Sequence, residues 1–96
     1  MAKNNPITEN IKEKEKILKA LANRRRLAIL AMLAKKGEMS VTEIAEALDL
    51  SIWATSKHLR IFRTVGLVDF QQTNSVIKYH LSSHLPSIVK ESIKNL

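Results

Sequence analysis

Apolar residues recur along this chain at helical spacing, then at strand spacing, then at helical spacing again. After a frayed start over residues 1–7, Thr8 can cap a first helix on which Ile11, Leu18 and Leu21 share a face. That stripe is thin, and the charge run Glu13-Lys-Glu-Lys16 lies between its members. Asn23 interrupts, Arg24-Arg-Arg26 follows, and Leu27-Ala-Ile-Leu-Ala-Met-Leu-Ala34 is apolar on every side, the pattern of a central buried helix. Lys35-Lys36-Gly37 closes it, with cations near the negative end of the helix dipole and Gly for a left-handed cap.

Ser40-Val-Thr-Glu43 is a capping box. Val41, Ile44, Ala45 and Leu48 then mark a one-sided helix of about two turns. Asp49-Leu-Ser51 is a tight break, and Ser51 caps a further helix from Ile52 to about Val65, stopped by Gly66. On it Thr55, Leu59 and Phe62 face inward. Beyond Gly66 the period shortens. Leu67–Gln71 and Val76–Leu81 read as two strands of a hairpin, joined by Gln72-Thr-Asn-Ser75 with Asn74 able to take positive φ. Ser82-Ser83 offer a cap for a last amphipathic helix carrying Leu85, Ile88, Val89, Ile93 and Leu96, with Pro86 in its first turn.

A buried helix, a short helix, a three-residue break, a second helix and a hairpin make a mainly α chain with a small β-hairpin, a winged helix-turn-helix. The whole of 1–96 is one domain, with 40–65 the helix-turn-helix and 67–81 the wing. Composition narrows the function. Sixteen Lys and Arg against nine Asp and Glu give +7, and 45% hydrophobic residues place that charge on a folded globule. A basic globule suits a polyanion, nucleic acid above all. The chain has no Cys, which removes thiol catalysis and thiolate metal sites. Leu27–Ala34 is the longest apolar run, far short of the ~20 residues of a membrane span. No membrane association and a cytoplasmic place follow as expectations.

At about 100° per residue, the outward side of the second helix of the pair carries Trp53, Lys57, Arg60 and Thr64, flanked by Ser56 and Arg63. No acid occurs between Ile52 and Val65. A major groove of B-DNA admits one helix, and Arg60 and Lys57 can donate to guanine. Ser51 and Ser56 can reach phosphate or a base edge. The expected double-stranded DNA contact set is Ser40, Thr42, Ser51, Ile52, Trp53, Ser56, Lys57, Arg60 and Arg63, joined from the wing by Thr73, Asn74 and Lys78. Trp53 has two readings: packing on thymine methyls or the sugar–phosphate edge, or folding back on a neighbouring loop or the wing base. With Ile52 it could also anchor a protein partner, which makes a protein-interaction winged helix the alternative function. An enzyme is not expected: there is no Gly-rich phosphate loop, and the three His lack acids at triad or metal spacing.

Four pieces of the chain, in order and correctly spaced between Leu18 and Leu81, resemble the ArsR/SmtB family of small winged-helix repressors. Leu18–Leu30 is similar to the family's "ALADPTRLRIL", Glu38–Leu48 to "ELSVSELAEAL", and Leu50-Ser51, Ser56-Lys-His-Leu59 and Val65-Gly-Leu-Val68 to "LSQSTVSRHLKVLREAGLV". The resemblance implies a repressor that binds an inverted-repeat operator as a homodimer. Its dimer would be joined by the end helices, 8–22 and 84–96, through Ile7, Ile11, Leu18, Ile88, Val89, Ile93 and Leu96. It places Ser56, Lys57 and Arg60 on recognition positions and His58 on a family His, read here as packing with a hydrogen bond. The family's metal motifs are missing. Met39-Ser-Val-Thr42 stands where sensors carry Cys-x-Cys, the Asp is absent near His84, and Asn95 occupies the place of a second His. His80 and His84 alone are too few for a tetrahedral site, so no metal and no cofactor are expected. The inducing signal has no signature, and a small-molecule effector stays unassigned.

Overall fold

The computed structural model describes residues 5–96 and holds five helices and three short strands: α1 (Pro6–Leu21), α2 (Arg24–Lys36), β1 (Glu38–Met39), α3 (Val41–Leu48), α4 (Ile52–Thr64), β2 (Val68–Thr73), β3 (Val76–Leu81) and α5 (Ser87–Ile93). The helix-turn-helix is α3 and α4, and the wing is β2 and β3. Among the described residues no helix is long and apolar enough to cross a membrane.

Helix α1 starts before the expected Thr8. Asn5 is its cap, with Oδ1 accepting from the Ile7 amide at 2.9 Å, and Pro6 supplies a preset φ at the first helical position. Of the stretch expected to fray, residues 5–7 therefore belong to the helix and its cap, and residues 1–4 lie outside the described part. The α1–α2 junction is held by two side chains. Asn23 Oδ1 accepts from the amides of Arg25 and Arg26 at 2.9 and 3.1 Å. Arg26 turns back, its Nε donating to the Ala20 carbonyl at 2.7 Å and its Nη2 to that of Lys19 at 3.0 Å. One guanidinium thus satisfies two carbonyls that the end of α1 leaves unpaired.

Helix α2 is central, touching α1, α3, α5 and the sheet, but it is not buried all round. Ile29, Leu30 and Leu33 lie in the core. Leu27, Ala28, Ala31 and Met32 are half-buried along a groove of about 450 Å³ that Leu48 and Leu96 complete. Its alanines are too small to fill the space between α2 and the chain end.

The capping box of α3 forms as expected, with Glu43 N–H donating to Ser40 Oγ at 3.1 Å and Ser40 N–H donating to Glu43 Oε1 at 2.9 Å. Asp49 takes the left-handed conformation (φ 53°), which lets the Leu50 amide reach the Ala45 carbonyl and turns the chain into α4. Ser51 Oγ caps α4 on the Ala54 amide at 3.0 Å. Gly66, at φ +76°, ends it. Thr55, Leu59 and Phe62 are buried, and Thr55 Oγ1 donates to the Ser51 carbonyl at 2.9 Å.

The sheet runs β1-β3-β2, all antiparallel. Three features differ from expectation. β1 pairs Glu38 with His80 and Met39 with Tyr79, a two-residue strand too short to leave a period in sequence. β2 runs on to Thr73, so the connection is only Asn74-Ser75, both at positive φ (51° and 68°), the requirement of a tight turn that follows the strand twist. The last helix begins at Ser87 with Pro86 at its cap and no side-chain cap bond, later than Ser82-Ser83 suggested, and Leu96 lies beyond its end.

The core gathers Leu30, Leu33, Ile44, Leu59, Phe62 and Leu67 with their neighbours from every helix and the sheet. Val89 belongs to it with no exposed surface, and Ile88 and Ile93 pack against it. The expectation that Val89 faces a second copy is therefore corrected: it is spent on the protomer's own core. Ile7, Ile11 and Leu18, at 68%, 48% and 45% exposure, line an open trough of about 660 Å³ along α1.

Candidate nucleic-acid interface

The inward face of α4 is fixed by Thr55, Leu59 and Phe62, so its opposite face must look outward. That face carries Trp53, Lys57 and Arg60, all exposed, with half-buried Ser56 beside them. Trp53 is 74% exposed and packs on neither the wing base nor a loop. Its only ring partner among the described residues is Lys57, whose Nζ stands 5.4 Å from the ring centroid, within cation–π range. Ile52 extends the apolar spot at the start of the helix. No carboxylate of the described residues pairs with Lys57, Arg60 or Arg63. The three ion pairs with purely local partners lie on α1, between residues three or four apart.

Four expected contact residues have structural duties. Ser40 and Ser51 use their hydroxyl oxygens as caps, which leaves each hydroxyl proton to donate. Arg63 lies over the Phe70 ring at 4.3 Å, and Phe70 packs on Tyr79 with centroids 5.7 Å apart, tying α4 to both wing strands. Lys78 was expected among the wing's DNA contacts. Its Nζ instead donates to Glu43 Oε1 at 2.6 Å. The same oxygen accepts from Ser40, so one carboxylate caps α3 and holds β3. These donors, Lys78 first, lower the Glu43 pKa to about 2. Sequence spacing could not reveal a pair so far apart in the chain. Thr42 is exposed at the start of α3, and Thr73 and Asn74 at the wing tip.

His58 sits at the inner edge of α4 as the helical wheel places it, but it does not make the expected hydrogen bond. Its Nδ1 is buried without a partner. Burial and the charges of Arg26, Arg25 and Lys57 all push its pKa below the usual range, so the ring is neutral at pH 7. No group of three or more His, Cys, Asp and Glu among the described residues could hold a metal.

Residues 23–70, the helix-turn-helix and its flanks, match the family model described as bacterial regulatory protein, arsR family. The transcriptional activator HlyU of Vibrio cholerae is 43% identical over 77% of this chain and 74% of its own. The arsenical resistance operon repressor of Escherichia coli is 35% identical over 74% of this chain and 61% of its own. Among solved structures, HlyU from Vibrio cholerae superposes with a TM-score of 0.75 at 41% identity, covering 88% of each chain. A homodimeric winged helix-turn-helix DNA-binding domain from Mycobacterium bovis gives 0.80 at 28% identity, over 96% of this chain and 83% of that one. With its recognition helix exposed and cationic, its hairpin strapped beside it and these relatives, the chain belongs to the ArsR family of DNA-binding winged helix-turn-helix transcriptional regulators.

Proposed function

We propose that the protein is a homodimeric repressor that reads an inverted-repeat operator with α4 of each copy, without a metal as its signal. The observation that carries this is the outward face of α4: Trp53, Lys57 and Arg60 exposed together, with no carboxylate of the described residues paired to either cation. Arg60 and Lys57 choose the bases, each good pair contributing about 1–3 kcal/mol of discrimination. Phosphate neutralisation supplies most of the binding energy. The trough along α1 supports the dimer, since Ile7, Ile11 and Leu18 leave more apolar surface in one line than a lone protomer needs to expose. A two-fold dimer sets the recognition helices about 34 Å apart, one turn of B-DNA. The metal-free reading rests on the absent Cys and the incomplete His motifs of the sequence. Named relatives include an activator and a repressor, and the repressor is favoured here because α4 and the dimer face are together enough to occupy and block a site on DNA.

A mobility-shift titration of operator duplex at two salt concentrations tests the reading. With roughly 6–10 phosphates met, affinity falls about 10³–10⁵-fold between 50 and 200 mM salt. Salt-independent binding, or a monomer at micromolar concentration, refutes it. The pair of exposed residues Ile52 and Trp53 also suits a protein partner. Trp53→Ala separates the two: it shifts base preference in the first case, and in the second it abolishes a salt-insensitive protein complex while leaving DNA binding intact.

A further inference from the structure

Arg24, Ala28, Ala31 and Lys35 fall four, three and four residues apart, so they share one line along α2. All four line the groove of about 450 Å³, with Leu27 and Met32 beside them and Leu48 and Leu96 completing the walls. That is the size of a small-molecule cleft, ordinarily about 300–1,000 Å³. The middle of the line is apolar and both of its ends are cations. From Arg24 to Lys35 the helix rises about 16 Å. No carboxylate of the described residues pairs with either cation. Lys35 suits the negative end of the helix dipole, but Arg24 stands at the positive end, where the first turn holds no acid.

We propose that this groove binds a linear aliphatic dicarboxylate, its chain lying on Ala28, Ala31, Met32 and Leu48 and one carboxylate meeting each cation. Charge complementarity selects this guest. The methylene chain takes the half-buried apolar lining out of water. The Arg24 fork matches a carboxylate with two parallel hydrogen bonds, and Lys35 holds the other as a point charge. A monocarboxylate leaves one cation unanswered, and an uncharged chain leaves both. A second copy of the chain fits less well. The apolar stripe of α1 is bordered by Lys14, Glu15 and Lys19, and that net positive edge would meet Arg24 and Lys35. The site stands independently of how α4 is used, since none of its residues lies on that helix.

Isothermal titration of the full chain with dodecanedioate, dodecanoate, dodecanediol and butanedioate tests this. Dodecanedioate binds once per chain. A carboxylate at an exposed cation contributes about fivefold, so dodecanoate binds about fivefold and dodecanediol about 25-fold more weakly. Butanedioate, which lacks the chain, gives no measurable heat. R24Q or K35Q each lowers the dodecanedioate affinity about fivefold and leaves that of dodecanediol unchanged. Ala31→Phe fills the groove and abolishes binding of every long-chain compound. Arg24 and Lys35 are exposed, so R24Q/K35Q melts at the wild-type temperature and decides the matter even where Ala31→Phe fails to fold. Methyl NMR shifts on Ala28, Ala31, Met32 and Leu48 locate the guest. Dodecanedioate that shifts Ile7, Ile11 and Leu18 instead, that binds R24Q/K35Q as tightly as wild type, or that does not bind at all overturns the proposal. Butanedioate binding as tightly as dodecanedioate overturns it too, and so does a dimer dissociation constant that R24Q/K35Q changes in sedimentation, which assigns the groove to the contact between copies.

Discussion

Replacing Arg26 by Met keeps the aliphatic stem and deletes the donors that join α1 to α2. Two hydrogen bonds from a charged group are lost, at 2.7 Å to Ala20 and 3.0 Å to Lys19. Such bonds contribute about 1.5–3 kcal/mol each when shielded from water. The Lys19 carbonyl is exposed and finds water again, so its bond counts near zero. The Ala20 carbonyl is partly buried and counts near the lower bound. Against this, removing one of the three adjacent cations Arg24-Arg-Arg26 relieves repulsion among them. The balance is a loss of about 1–1.5 kcal/mol. For a domain of this length that lowers Tm by roughly 4–12 °C. The loss is local: amides in the last turn of α1 exchange faster, while those of α4 keep their protection. Because α1 carries the trough proposed to seat a second copy, the dimer also dissociates at a higher protein concentration. Thermal melting over a dilution series, with hydrogen exchange read by mass spectrometry, measures all three. An unchanged Tm, or faster exchange spread evenly over the chain, refutes the assignment of Arg26 as the strap.

Three further outcomes are expected. The folded pKa of His58 lies below its ordinary 6.5, so its contribution to stability is complete above that value and is lost as pH falls below it. His58→Leu removes that slope, and urea melts at about pH 7.5 and about pH 5.5 measure it; an equal loss in wild type and variant argues against a neutral buried ring. Glu43 has the same sign at lower pH, its contribution complete above 4.5 and lost on the way to about 2, so E43Q flattens the acid limb of the melting curve there. Ser75→Gly relieves a side chain held at φ 68° and completes an Asn-Gly turn, stabilising by about 0.5–1 kcal/mol; a lower Tm contradicts the turn geometry.

The parts of the fold that were legible in sequence are those with a local cause. Ser40 and Glu43 sit three residues apart and cap each other. Thr55, Leu59 and Phe62 lie on one helical face and are buried together. Trp53, Lys57 and Arg60 follow on the opposite face by geometry alone. What escaped has a distant cause. β1 exists only because β3 comes alongside it, and Lys78 is drawn to Glu43 across the fold. Val89 shares the period of its half-buried neighbours Ile88 and Ile93, yet α5 lies against α2 and buries Val89 completely. The early start of α1 was misread because Thr8 and Asn5 are both good caps, and Pro6 at the first helical position decides between them.

The wing is fastened on both flanks, to α3 through Lys78 and Glu43 and to α4 through Phe70 and Arg63. A hairpin so tethered moves with α4 as one rigid body. In the proposed dimer on an inverted repeat, mismatches in spacing between half-sites would then be absorbed by rotation of one copy against the other, or by bending of the DNA itself.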